Sequence, residues 1–259
     1  MVRGYIFDLD GTVYLGDRLI PGAAEAIHHL KTRGDKVLFV TNKSIATRQD
    51  YVRKLRKLGI EVSLQEVINS NYIAAMYLNE VLVPGEKVLA LGEAPLLSEL
   101  QEFVIPLTEN PAEAAYVVLG WDREFNYEKL NLAFQACLHQ AKVIATNPDR
   151  TCPMENNQQL PDCGAIIGAL EGATGKPIDL VVGKPSSYLA EVAVKKILLL
   201  EYENCYMIGD RLETDIKMAN ESGMNSVLVL TGISNREMAA TSPYKPKYIL
   251  ESIKDITSL

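Results

Sequence analysis

A parallel α/β fold is the class this sequence predicts, and three observations predict it. Apolar runs of strand length alternate with stretches of helical period. Polar or acidic residues follow directly after several of those runs. The scheme near the N-terminus recurs near the C-terminus, with a second α/β stretch between them.

Tyr5-Ile6-Phe7 reads as a short buried strand ending at Asp8. Pro21 and Gly22 open a helix whose apolar face is Ala23, Ala26, Ile27 and Leu30, and Gly34 is placed to end it. Val37 to Val40 forms the next strand and delivers Thr41. Thr47 can cap a following helix in which Tyr51, Leu55 and Leu58 recur at helical spacing before Gly59. The charges on that helix (Arg48, Arg53, Lys54, Arg56, Lys57) read as a solvated face. Leu180 to Gly183 delivers Lys184, and Cys205 to Gly209 delivers Asp210. Ser226 to Leu230 and Tyr248 to Leu250 are two further strands.

The middle of the chain carries strands at Lys87–Leu91, Ala115–Leu119 and Val143–Thr146, with a helix near Tyr127–Gln140. Residues 80–176 are therefore expected to form an inserted cap domain, with the core built from 1–79 and 177–259. There is no internal repeat, low-complexity tract or Ser/Gly-rich linker.

Composition narrows the function. The chain has 259 residues, 47% apolar and 23% charged, as expected for a globular protein with a sizeable core. Its net charge of −7 argues against a nucleic-acid or anionic-membrane surface. No apolar run reaches the roughly 18 to 20 residues of a membrane span. The N-terminus does not read as a secretory signal, and four widely spaced cysteines without a CxxC pair fit reduced thiols in a cytoplasm. Cys152 and Cys163 are the one pair worth checking for a bond. His28, His29 and His139 lie on helices away from every strand-end motif, which disfavours a Ser-His-Asp hydrolase. Trp121 reads as core, and Gly92-Glu93 as a turn.

Four segments sit at the carboxyl ends of predicted strands, the edge where open parallel sheets place ligands. They are Asp8-Leu9-Asp10-Gly11-Thr12, Thr41-Asn42-Lys43-Ser44, Gly183-Lys184-Pro185-Ser186 and Gly209 to Asp215. The first lacks the further acids and closing Glu of a calcium loop. The second and third, taken singly, are also what a helix cap and a turn lysine look like. If Asp8, Asp10 and Asp210 converge, each like-charge pair at about 4 Å costs on the order of 4 kcal/mol at an effective dielectric near 20. Lys184 alone cannot offset three such charges, and a divalent cation can. With oxygen donors and no His or Cys in these segments, the ion expected is Mg²⁺, though Ca²⁺ could occupy the same site.

Phosphoryl transfer needs mainly positioning and positive charge around the equatorial oxygens. Asp8 is the expected nucleophile, and Asp10 could protonate the leaving oxygen and later activate water. Thr41 and neighbouring amides would donate to phosphate, and Lys184 would balance its charge. Asp210 would hold the metal, with Asp215 in support through water or a hydrogen bond.

The order hhhDLDGT, strand-TN, strand-GKP and strand-GDRLETD resembles the haloacid dehalogenase-like superfamily, in its NagD-like or p-nitrophenylphosphatase branch. Val13-Tyr14-Leu15-Gly16 and Ala145-Thr146-Asn147-Pro148-Asp149 strengthen the resemblance, which spans nearly the whole chain. It implies a Rossmann-like core with a cap inserted between the second and third motifs. By the same resemblance Asp8 matches the nucleophile, and Asp10 the acid/base whose main-chain carbonyl also binds metal. Thr41 and Asn42 match the phosphate-binding motif, Lys184 the third motif, and Asp210 with Asp215 the fourth. Lys43 stands where many relatives carry a second asparagine, and could add positive charge near the substrate. The loop from Asn147 to Leu160 matches the region that contacts leaving groups. Its Asn147, Asp149 and Arg150, with Glu155, Asn156 and Asn157, suggest a polar substrate.

The expected activity is hydrolysis of small phosphate monoesters, with a small phosphorylated metabolite as the partner. A phosphotransferase or mutase on the same scaffold, and a non-catalytic phosphate-binding protein, are the alternatives. The former must exclude water, and the latter should show a broken catalytic set. An exposed cap face could support a homodimer.

Overall fold

The computed structural model describes residues 2–153 and 159–259. Residues Glu155, Asn156 and Asn157 of the cap loop lie outside that range. By internal contacts the chain forms two units. One comprises Met1–Thr41, Arg48–Ile68 and Lys184–Leu259, and the other Asn42–Thr47 and Asn69–Gly183.

The first unit begins with β1 (Gly4–Phe7), followed by a two-stranded antiparallel ribbon, β2 (Tyr14–Leu15) and β3 (Arg18–Leu19). Next come α1 (Ala23–Thr32), β4 (Lys36–Thr41), α2 (Arg48–Lys57) and β5 (Val67–Asn69). The apolar spacing of α1 does what it predicts: Ala23, Ala26, Ile27 and Leu30 are all buried.

In the second unit, α3 (Ser70–Val81) starts at Asn69, whose side chain accepts a hydrogen bond from the Tyr72 amide. It is followed by β6 (Lys87–Leu91), α4 (Ala94–Glu102), β7 (Ala114–Leu119), α5 (Tyr127–Leu138) and β8 (Lys142–Ala145). An antiparallel ribbon, β9 (Thr151–Pro153) and β10 (Gln159–Pro161), leads to α6 (Cys163–Thr174) and β11 (Leu180–Val181). The sheet order is β11-β8-β7-β6, all pairs parallel. Its core joins Leu89, Val117, Leu119 and Val143 from the strands to Ala133, Ala136, Ile166 and Leu170 from α5 and α6. Trp121 is 1% exposed and belongs to this core.

The chain then returns to the first unit with α7 (Ser187–Glu191), β12 (Cys205–Gly209), α8 (Lys217–Ser222), β13 (Asn225–Val229), α9 (Arg236–Thr241) and β14 (Tyr248–Leu250). Its six-stranded sheet runs β14-β13-β12-β1-β4-β5. The pairs from β14 through β4 are parallel. Tyr5, Ile6 and Phe7 are fully buried, as a central parallel strand covered on both faces must be. The chain builds outward from β1 to β4 and β5, then crosses to β12, β13 and β14. The direction of winding therefore reverses at β1. That reversal is where strand-end loops diverge and leave a crevice for a ligand.

Among the described residues no helix is long and apolar enough to cross a membrane.

Candidate active site

Two neighbouring strands bring the acids together. Asp8 follows β1, Asp210 follows β12, and the register that pairs Phe7 with Ile208 sets the two strand ends side by side. The Asp8 amide donates to the Ile208 carbonyl at 2.8 Å, extending the ladder to the acid itself. Asp215 lies in the helical turn Leu212–Ile216 just after β12, and its Oδ2 accepts from the Arg211 amide at 3.1 Å. Gly209 permits this fold-back. A Cβ there would overlap the Asp215 carboxylate, so a side chain at 209 would drive Asp215 out.

Carboxylate oxygens of Asp8, Asp210 and Asp215 lie within 4.8 Å of one another, and all three residues are buried. The Lys184 ammonium, 2% exposed, hydrogen-bonds Asp8 Oδ1 and lies 2.7 Å from Asp215 Oδ1. The cluster thus holds three negative groups against one positive. Burial, then the charges of Asp8 and Asp215, push the Asp210 carboxyl up to about 7, although the Ile233 amide favours its ionised form. Burial pushes Asp215 up to about 6, with Asp8 adding to the rise and Lys184 opposing it. Burial alone would lower the Lys184 ammonium, but Asp215 and Asp8 outweigh it and hold it above the ordinary lysine range.

A hard divalent cation fits these residues. The donors are all oxygens, and Asp210 Oδ1 is buried without a hydrogen-bond partner. An unpartnered buried oxygen in a group of three carboxylates is an expensive arrangement unless a cation completes it.

Thr41 ends β4, the other neighbour of β1, and is 5% exposed. Asp10 is half-buried, three residues beyond β1, and its carboxylate is not a member of the close group. Asp215 supplies the third carboxylate in its place. The extended strand ends at Phe7 and the chain bends at Leu9, so the alternation that would set Asp10 on the same side as Asp8 is lost before Asp10.

Asn42 is held within the second unit. Its Nδ2 donates to Asp149 Oδ2 at 3.0 Å, while its carbonyl accepts from Ser70 Oγ at 2.7 Å and Asn147 Nδ2 at 2.9 Å. Asn147 is fully buried, and its Oδ1 accepts from the Asp149 amide. Lys43 is half-buried and Arg150 exposed.

Two family models match this chain. One described as haloacid dehalogenase-like hydrolase matches residues 5–105, and a second, HAD-hydrolase-like, matches residues 181–256. The chain belongs to the haloacid dehalogenase-like hydrolases. It is 39% identical over 256 residues to sugar-phosphatase AraL of Bacillus subtilis, covering 99% of this chain and 92% of that protein. A p-nitrophenyl phosphatase from Archaeoglobus fulgidus superposes with a TM-score of 0.92 at 36% identity, covering 99% and 98% of the two chains. NagD from E. coli K-12 gives 0.88 at 28% identity, covering 98% of each. Within the haloacid dehalogenase-like hydrolases this is a phosphatase, a phosphoric monoester hydrolase, of the NagD and p-nitrophenylphosphatase branch.

Two segments outside the four motifs hold motif residues in place. Asn69, Ser70 and Asn71 hold the 42–46 segment through the carbonyls of Ala46, Asn42 and Ser44. A polar triplet directly after the apolar pair Val67-Ile68 was the available signal. Thr231 to Ser234, after β13, contacts Asp210 and Gly11. Its signal was a Thr-Gly pair at a strand end.

Proposed function

We propose that this phosphatase hydrolyses small phosphate monoesters through a phospho-aspartate on Asp8, with Mg²⁺ as its cofactor. Sugar phosphates, phosphoglycolate-like compounds and p-nitrophenyl phosphate are the proposed substrates. The buried group Asp8, Asp210 and Asp215, met by the buried ammonium of Lys184, carries the proposal.

Lys184 engages Asp8 Oδ1, which leaves the second oxygen for phosphorus. In the first step that oxygen bonds to phosphorus, the bond to the ester oxygen breaks, and Asp10 gives the departing alkoxide its proton. In the second, Asp10, now a carboxylate, takes a proton from water as that water attacks phosphorus. The Asp8–phosphorus bond breaks and inorganic phosphate leaves. Thr41, Asn42, Lys43 and Lys184 are the proposed phosphate-binding residues, whose donors and charge would favour the transferring group. Asp8, Asp210 and the Asp10 main-chain carbonyl are the proposed metal ligands, with Asp215 fixing Lys184 beside them. Bound there, Mg²⁺ would supply the positive charge that lets the carboxylates ionise together. Asn147, Asp149 and Arg150 are the proposed contacts to the leaving group.

The test is hydrolysis of p-nitrophenyl phosphate with Mg²⁺ and with excess EDTA, beside Asp8→Asn. Activity that needs Mg²⁺ and disappears in the variant is expected. Comparable turnover by folded Asp8→Asn would remove Asp8 from the nucleophile role. Phosphate passed to an added alcohol in preference to water would point to a phosphotransferase.

A further inference from the structure

The loop after β13 bears on Asp210 from a side that the four motifs do not include. Its contacts are all short and directional. The Ile233 amide donates to Asp210 Oδ2 at 2.7 Å, and the Ser234 amide donates to the Asp210 carbonyl at 3.1 Å. Thr231 Oγ1 donates to the Gly11 carbonyl at 2.6 Å, tying this loop to the turn that follows Asp8 and Asp10. Gly11 and Gly232 approach Asp210 closely. A Cβ on Gly11, whose φ is +87°, would lie 2.5 Å from Asp210 Oδ2 and 3.2 Å from the Gly232 Cα. A Cβ on Gly232 would overlap the Asp210 carboxylate outright. No rearrangement of a flexible side-chain tip relieves that overlap, because the carboxylate is itself pinned by the Ile233 amide.

Two consequences follow for the carboxylate. Its torsion is fixed by backbone rather than by neighbouring side chains, so its direction is set before any ligand arrives. Its two oxygens are made unequal: Oδ2 is committed to the Ile233 amide, and Oδ1 is buried without a hydrogen-bond partner. Of the two, Oδ1 is thus the oxygen left available to a cation.

We infer that Thr231-Gly232-Ile233 is a backbone clamp that pre-orients Asp210 for the divalent cation, with Gly232 and Thr231 as positioning residues. The inference rests on the metal-site reading above and extends it to a segment outside the motifs. Gly232 acts by absence, since any side chain would rotate Asp210 off the Ile233 amide. Thr231 acts by holding the loop against the Gly11 turn.

The experiment is calorimetric titration of the full chain with MgCl₂ alone, after EDTA treatment and dialysis, for wild type, Gly232→Ala, Thr231→Val and Thr231→Ser. The expected result is a Mg²⁺ Kd raised tenfold or more in Gly232→Ala and about threefold to tenfold in Thr231→Val, with Thr231→Ser close to wild type. Steady-state assays should show the apparent Mg²⁺ constant moving in parallel, with kcat substantially recovered at saturating Mg²⁺. A merely structural role would instead lower Tm in EDTA without moving the Mg²⁺ Kd. Wild-type Mg²⁺ affinity in folded Gly232→Ala would overturn the clamp while leaving the metal reading intact. Should Gly232→Ala fail to fold, an unchanged Kd in Thr231→Val would overturn it. Failure of the wild type to bind Mg²⁺ would overturn both.

Discussion

Lys184 Nζ stands 2.7 Å from Asp215 Oδ1, with the lysine side chain 2% exposed and the aspartate fully buried. The same ammonium hydrogen-bonds Asp8, so one cation bridges the strand-end acid and the acid of the following turn. Removing one partner of a buried pair leaves the other charge uncompensated, at a cost of about 3–5 kcal/mol. Lys184→Met is expected to lower the Tm of the EDTA-treated protein by several degrees at neutral pH. It should also cut kcat by at least about a hundredfold, because its charge matters most as the transferring group develops its transition state. Thermal melts and saturation kinetics check both, and unchanged values would make Lys184 a bystander.

The pH dependence of the metal-free protein has a definite sign. Asp210 and Asp215 titrate near 7 and near 6 in the folded chain, against 3.8 for an unperturbed carboxyl. Between those values the native state holds protons that the unfolded state has released, so this site's contribution to stability falls as pH rises from about 4 to about 7. A bound cation favours the ionised forms and reverses the trend. In EDTA, Asp210→Asn is expected to gain stability over wild type as pH rises from 5 to 8, and with saturating Mg²⁺ the wild type regains the advantage. Parallel melting curves for the two proteins across that range would refute the assignment.

The cysteines offer a separate check on packing. Burial pushes the Cys163 thiol up to about 12 and the Cys205 thiol up to about 11, and Cys152 is buried as well. Cys137 is only half-buried, with a more modest rise. A thiol that stays protonated and covered reacts slowly. Titration of the native protein with an aromatic disulfide reagent at pH 8 should label Cys137 first. The other three should react after denaturation, and rapid native labelling of Cys163 would contradict its burial at the start of α6.

Strand positions were legible because a parallel sheet buried on both faces leaves continuous apolar runs, and Tyr5-Ile6-Phe7 and Cys205 to Gly209 are such runs. Asp8, Thr41, Lys184 and Asp210 were legible because each immediately follows one. Less of the site's fine structure could be read. Asp215 enters the carboxylate group through a tight turn that the spacing does not reveal, and Asp10 leaves it because the strand ends at Phe7 and bends at Leu9. The three-residue strand β5 is too short for a period to register, so α3 and its Asn69-Ser70-Asn71 start went unread. Backbone amides such as that of Ile233 carry no sequence signal.

Asn42 and Asp149 test how the segment proposed to bind phosphate is held. Asn42 is 7% exposed, and its Nδ2 donates to Asp149 Oδ2 while its own carbonyl serves Ser70 and Asn147. Asp149→Ala removes the acceptor and leaves a buried amide N–H without this partner, a loss of about 1–3 kcal/mol. The amide then loses this tether, so the cost should fall on substrate binding more than on the proposed chemistry at Asp8. KM for p-nitrophenyl phosphate is expected to rise about threefold to tenfold, with kcat within about threefold of wild type. Asp149→Asn keeps an acceptor oxygen and should recover most of that loss. If Asp149→Ala lowered kcat alone, Asp149 would be acting on the reaction itself and not through Asn42.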